Sequence, residues 1–385
     1  MSKEAADQDI LALVSQEVSQ TPYACSTLTQ LSGGTANFVY RGILSRPLED
    51  GTKTIIIKHG EAYAASNRDF KLPTERCVIE ETILSALNNV PATAAEPENT
   101  GTSTSTSTPR CTVRTPHLFH FNRATNTQIL EDLPDALDLK TFMLAPAAAH
   151  RVPHDLATVI GRAVGKWLRA FHDWVAEASQ GALAQASEKN KLMRDLKFTV
   201  NYNNLVGQAG RFPALLAESQ PVFRRVRDMA AAELGGTEGE GFGVIHGDFW
   251  SGNVLIPGTA LDQQLDVPLF VTDWELCQYG PRALDLGQMI AELYELKHFK
   301  DIDAGIWIIE GLAEGYGVID EDMAFRTAIH VGVHLICWGS TVAGWGTDEQ
   351  IEEVVKIGRD LVVRGWEKDR AWFEGIWLRG LFTRA

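Results

Sequence analysis

The chain has 385 residues, 45% hydrophobic and 22% charged, which is enough apolar content for two packed lobes rather than one small core. With 50 acidic against 35 basic residues the net charge is −15, which argues against a nucleic-acid surface and is compatible with a cationic small substrate, while also serving solubility. No apolar run reaches membrane-spanning length, the N-terminus Met1-Ser-Lys-Glu-Ala-Ala-Asp7 has no signal-peptide core, and Cys25, Cys77, Cys111, Cys277 and Cys337 have no metal spacing; a reducing, cytoplasmic setting with neither membrane nor nucleic-acid partner is expected.

Residues 5–20 alternate apolar and polar loosely and predict a leading helix. Residues 26–42 read as strand, loop and strand, with Ser32-Gly33-Gly34-Thr35-Ala36-Asn37 between the β-forming segments. Such small residues either let backbone N–H groups cradle phosphates or simply make a hairpin turn, and the residues alone leave both open. Thr54-Ile-Ile-Ile-Lys58 predicts a short strand ending in lysine, and Thr74 to Leu87 an amphipathic helix carrying Glu75, Glu80 and Glu81. The Thr/Ser/Ala/Pro tract at about 91–115 cannot bury apolar area and is expected to be a flexible insertion in the small lobe. Thr127 to Pro134 then reads as a strand breaking into a linker.

From Leu156 the pattern is helical, with Ile160, Val164, Leu168 and Phe171 along one face and His172, a core or cap histidine, at the end. Residues 175–197 add a polar, Ala-rich helical stretch and 213–235 another helix. The most informative stretch follows: Val244-Ile-His246-Gly247-Asp248-Phe249-Trp250-Ser251-Gly252-Asn253-Val254-Leu-Ile256, then Leu269-Phe-Val271-Thr272-Asp273-Trp274-Glu275. Apolar β-type runs flank polar loops, so Asp248, Asn253 and Asp273 can converge at strand ends. An aspartate that orients an attacking hydroxyl, beside hard oxygen ligands for Mg²⁺, suits phosphoryl transfer. The bland alternative is a hydrogen-bonded turn capping a strand. Downstream, Asp285 either caps a helix or braces the catalytic loop from beneath. His330 and His334 lack a third ligand and read as core or surface histidines, and the six tryptophans from Trp307 to Trp377 read mostly as core.

The spacing His246-x-Asp248-x-x-x-x-Asn253, with Asp273-x-Glu275 on the next strand, resembles the aminoglycoside phosphotransferase and choline kinase family of small-molecule kinases. Leu168-Arg-Ala-Phe171-His172 is similar to a helix end of those enzymes, Ser32 to Val39 to the corresponding loop of methylthioribose kinase, and His246 to Asn253 to the ketosamine kinase loop. The resemblance implies an α+β, bilobal protein-kinase-like fold, with a small antiparallel β-sheet lobe at 1–132 and a larger, mainly helical lobe at 133–385. It also implies ATP, Mg²⁺ and a small-molecule hydroxyl as acceptor. Asp248 and His246 would be catalytic, and Asn253 and Asp273 would hold the metal. Lys58 would fix the phosphates with Glu80 as partner, Glu81 and Glu75 being the alternatives. Ser32, Gly33, Gly34, Thr35 and Asn37 would close over the phosphates, and Glu131 to Leu133 would face the adenine. An aminoglycoside, ketosamine, methylthioribose or amino alcohol all stay open as acceptor, because the cues conflict. The alternative is a catalytically silent nucleotide-binding regulator. A protein kinase is disfavoured by the missing Ala-Pro-Glu segment and activation loop.

Overall fold

The computed structural model describes residues 3–31, 35–95, 109–145, 152–236, 241–258 and 266–383. Ser32, Gly33 and Gly34 of the expected phosphate loop, and 96–108 of the Ser/Thr tract, lie outside the described residues. The chain divides into two compact units, Met1–Val90 with Thr115–Pro134, and Pro91–Arg114 with Asp135–Ala385.

The first unit is built on a five-stranded antiparallel sheet in the order Cys25–Gln30, Phe38–Leu44, Thr54–His59, Thr127–Glu131, Leu118–Asn122. Residues two apart share a face of a strand, so Ile55 and Ile57 both point inward and are fully buried. Phe38 and Tyr40 from the neighbouring strand, and Val14 and Val18 from the leading helix Lys3–Ser19, close the same core. Each such side chain contributes about 1.5–3 kcal/mol by leaving water. The helix Glu75–Leu87 buries Ile79, Ile83, Leu84 and Leu87 at helical spacing. Its N-cap Thr74 makes no side-chain cap. The fully buried guanidinium of Arg76 instead donates to the carbonyls of Pro73 (2.9 Å) and Glu61 (3.0 Å) and to Asn37 Oδ1 (2.9 Å), which pins the start of the helix.

The second unit holds most of the helices and also a sheet of its own, ordered Ala136–Asp138, Val254–Pro257, Asp266–Val271, Arg110–Arg114, Thr93–Ala95. This corrects the reading of 91–115 as an insertion in the small lobe. Arg110–Arg114 runs parallel to Asp266–Val271, with Ala95, Cys111 and Val113 fully buried. Strands of three and five residues beside a Ser/Thr-rich run are too short to show an alternating pattern, yet they bury one face in the sheet. A separate two-stranded ladder pairs Phe242–Ile245 with Gln278–Pro281.

Among the helices, His154–Trp174 packs closely on Ala304–Tyr316 through Gly161 and Gly165 on one side and Gly311 and Gly315 on the other. A Cβ at any of the four would run into backbone of the facing helix. The helical stretch expected over 175–197 is two helices, Gly181–Glu188 and Lys191–Phe198, separated at Asn190. That over 213–235 is interrupted at Pro221, where Gln220–Gly235 begins, because proline is tolerated in the first turn and not inside a helix. Two π-helical turns, Thr199–Asn203 and Leu335–Gly339, are tied together at Asn201, whose Oδ1 accepts from Trp338 Nε1 at 2.8 Å. Among the described residues no helix is long and apolar enough to cross a membrane.

Candidate active site

Two strands deliver the catalytic loop. Val254 pairs with Val271, and beyond that pair the chains remain linked, Thr272 N–H donating to the Asn253 carbonyl at 2.9 Å. His246 fixes the other end: its Nε2–H donates to the Thr272 carbonyl at 3.0 Å and its Nδ1 accepts from Asp248 N–H at 3.3 Å. With both ring nitrogens engaged and the side chain fully buried, His246 shapes the loop and is not placed as a proton carrier, in contrast to the catalytic role expected. Gly247 sits at φ +79°, where a Cβ would strike the Leu276 carbonyl. Asp285 receives the loop from beneath, accepting from His246 N–H (2.8 Å) and Gly247 N–H (3.0 Å) and contacting His172 Nε2 (3.1 Å). His172 in turn meets the Tyr316 hydroxyl at 2.8 Å, so this aspartate braces and does not cap.

Under the loop lies an aromatic floor. Trp274 and Phe249 are fully buried, with Trp167, Phe171 and His246 around them at ring separations of 4.4–6.2 Å. Trp274 anchors the residue before it: Asp273 adopts a left-handed backbone, φ 66° and ψ 63°, a conformation aspartate tolerates better than most residues and one found often at functional sites. Carboxylate oxygens of Asp273 and Glu275 come within 4.8 Å of each other. The turn between Glu275 and Cys277 is held by Asn190, whose amide donates to both carbonyls at 3.0 and 2.8 Å. The Asn253 amide donates to the Asp248 carbonyl (2.9 Å) and to Asp248 Oδ2 (3.3 Å), so Oδ1 is the atom through which Asn253 could take a cation. The donor set is all hard oxygen, which fits a divalent ion of the Mg²⁺ type.

Asp248 has a partner that the sequence did not announce. Lys197, in the last turn of Lys191–Phe198, places Nζ 2.9 Å from Asp248 Oδ1, and Gln288 Nε2 donates to the same oxygen at 2.7 Å. Loss of water pushes the Asp248 carboxyl up, but the Lys197 charge, the Gln288 and Lys197 hydrogen bonds and His246 outweigh this, and the group lies below its ordinary value. No motif marks Lys197, because the polar stretch around it has helical content and no spacing tied to chemistry. One and two turns beyond Gln288 on the helix Ala283–Lys300 are Glu292 and Glu295. Glu292 sits between Lys140 Nζ (2.6 Å) and His334 Nε2 (3.0 Å), and the Lys140 ammonium also lies over the Trp345 ring at 4.5 Å. Glu295 is fully buried beside Trp345 Nε1 (3.1 Å), and burial followed by the charge of Glu292 pushes its carboxyl well up. His330 is bound to the Tyr202 hydroxyl at 2.8 Å, so neither histidine of the 330/334 pair is arranged with the other as a metal ligand.

In the first unit Lys58 Nζ lies 2.8 Å from Glu80 Oε1, both largely buried, and Gln128 Nε2 donates to Glu80 Oε2 at 3.1 Å. Of the three candidate partners it is Glu80 that faces the strand; Glu81 pairs with Arg123 on the surface. Thr35 offers its carbonyl to Ser66 N–H and Oγ, and Asn37 is buried against Arg76, so its side chain supports the sheet instead of opening onto a ligand. At Glu131 the N–H donates to the His117 carbonyl at 2.8 Å and the carboxylate accepts from His117 N–H at 3.1 Å. Leu133, two residues on, is half-buried.

Comparison with known proteins shows the family. The profile of the phosphotransferase enzyme family (APH) matches residues 123–325. The chain is 37% identical over 369 residues to phosphotransferase FrzJ of Cladobotryum sp, covering 95% of this chain and 94% of that protein. It is 25% identical over 342 residues to the 4-hydroxytryptamine kinase of Psilocybe cyanescens, covering 86% and 84%. Among solved structures, a choline/ethanolamine kinase family protein from Mesorhizobium loti superposes with a TM-score of 0.47 at 14% identity, covering 94% of this chain and 99% of that one. The chain belongs to the phosphotransferase enzyme family and is a small-molecule kinase.

Proposed function

We propose that the chain transfers the γ-phosphoryl group of ATP to a hydroxyl of a small, nitrogen-containing molecule in a reducing, cytoplasmic setting. The observation that carries this reading is the clamped carboxylate of Asp248 on the same loop as Asn253, one strand from Asp273 and Glu275. Asp248 Oδ2 orients the acceptor hydroxyl and takes its proton as the oxygen reaches phosphorus. Asn253 and Asp273, with Glu275 beside them, would hold Mg²⁺, which when bound neutralises charge on the phosphates. Lys58, steadied by Glu80, fixes the α- and β-phosphates, and the strand end near Leu133 receives the base.

The likeness to a 4-hydroxytryptamine kinase directs the acceptor search to hydroxylated amines, with amino alcohols, ketosamines and methylthioribose next. Aminoglycosides complete the acceptor panel. Coupled ADP release over such a panel, with ATP and Mg²⁺, tests the reading. Turnover on at least one hydroxylated amine is expected, falling roughly 10²–10⁴-fold in Asp248→Asn. Asp273→Ala should lose nearly as much, and chelation of divalent ions should abolish turnover reversibly. ATP binding with no turnover on any acceptor would point to a silent regulator instead, and turnover on peptides alone to a protein kinase.

A further inference from the structure

The clamp on Asp248 is built from outside the catalytic loop. Lys197 Nζ is 2.9 Å from Asp248 Oδ1 and 2.9 Å from Gln288 Oε1, while Gln288 Nε2 reaches the same Oδ1 at 2.7 Å. The three groups close a ring in which one carboxylate oxygen accepts two donors and the amide is used at both ends. The ammonium has little choice of partner. Lys197 shares a partly open cavity with Arg194, Tyr202, Gln288 and His330. The carboxylate of that cavity, Glu233, is already taken by Arg326, and His330 is held neutral by burial and by the Arg326, His334 and Lys197 charges. The perch is fixed as well. The π-helical turn that follows Lys197 is latched by Trp338 Nε1 and Cys337 Sγ onto Asn201, and by His330 onto Tyr202.

We infer that Lys197 is the positioning residue of the catalytic aspartate, clamping Oδ1 together with Gln288 so that Oδ2 is the oxygen presented to the acceptor hydroxyl. The inference rests on the kinase reading above. In the step it serves, the acceptor oxygen bonds to the γ-phosphorus, the bond from that phosphorus to the departing ADP oxygen breaks, and the hydroxyl proton passes to Asp248 Oδ2. A carboxylate free to rotate about its Cβ–Cγ bond would present the wrong oxygen for much of the time, and small misplacements of a reacting group are costly. The helix Lys191–Phe198 and the turn Thr199–Asn203 thereby complete the site from outside the loop, so turnover requires both to be in place.

The test uses the full chain and an acceptor that the wild type turns over; if the wild type turns over none, it is the kinase reading that fails and not this inference. Lys197→Met is expected to lower kcat roughly 10- to 100-fold, the range for losing a charged hydrogen bond, with KM for ATP and the melting temperature little changed. Lys197→Arg should recover much of the loss, and Gln288→Leu should reproduce it. The decisive readout is a double-mutant cycle: in an Asp248→Asn background, Lys197→Met should cost nothing further, since its effect passes through that carboxylate. Full additivity in the cycle, a loss confined to KM, or wild-type kcat in Lys197→Met would each overturn the inference. Should Lys197→Met fold poorly, the cycle run with Gln288→Leu and the Arg rescue decide the matter by the same criteria.

Discussion

Gly247 shows how one residue sets what a loop can do. Its φ of +79° and the Leu276 carbonyl facing it leave no room for a side chain, and its N–H is one of the two that Asp285 holds. Replacing it must either move Leu276, next to the Asp273-Trp-Glu275 turn, or shift Asp248. Gly247→Ala is therefore expected to lower activity at least about tenfold and to cost more than about 1 kcal/mol of stability, by clash added to an unfavourable φ. Steady-state kinetics and urea unfolding check both; wild-type behaviour would show that the turn relaxes freely. Asp273 makes the converse case, a side-chain-bearing residue kept in the left-handed region because Trp274 behind it is fully buried and bonded through Nε1 to the Val271 carbonyl at 3.2 Å.

At the scale of elements, the helix His154–Trp174 matters twice. One face meets Ala304–Tyr316 through four glycines, and its last turns supply Trp167, Phe171 and His172 to the floor and brace of the catalytic loop. Closeness of the two backbones thus sets where the floor lies. Gly161→Val should force the helices apart and destabilise by about 2–4 kcal/mol, in the manner of an overpacked core. Thermal and urea melting measure it, and a shift below about 0.5 kcal/mol would mean the pair has slack. Trp274→Ala should cost about 3–5 kcal/mol, as expected for emptying a buried aromatic site, and should remove activity with it by freeing Asp273.

For the molecule as a whole, two buried imidazoles make stability depend on pH. Burial lowers His172, against a smaller opposing pull from Asp285, and lowers His330 further with the help of Arg326, His334 and Lys197. An unfolded histidine titrates near 6.5, so below that value the unfolded chain binds protons that the folded chain refuses. The stabilisation is complete above about pH 6.5 and is lost as pH falls towards the depressed folded values. Urea midpoints should therefore drop between about pH 7.5 and about pH 5.5, and His330→Gln should flatten that slope even if it lowers the midpoint at both values. An unchanged slope in the variant would assign the pH dependence to other groups.

Much of this was legible in the chain. The β-branched run of Thr54–Lys58, the helical spacing of the apolar residues over Thr74 to Leu87, and the apolar runs on either side of His246–Asn253 each specify an element from local chemistry, because burial of one face requires such residues. Where the pattern was short or polar the reading failed: the strands flanking the Ser/Thr tract joined the second unit, and His246 became a strut. Residue order therefore determined the loop that carries Asp248, the strands on either side of it and the family to which the chain belongs. That Asp248 Oδ1 is clamped was decided only when Lys197, 51 positions away, and Gln288, 40 away, were folded against it. Contacts between distant segments come from how faces pack, and no local spacing encodes them.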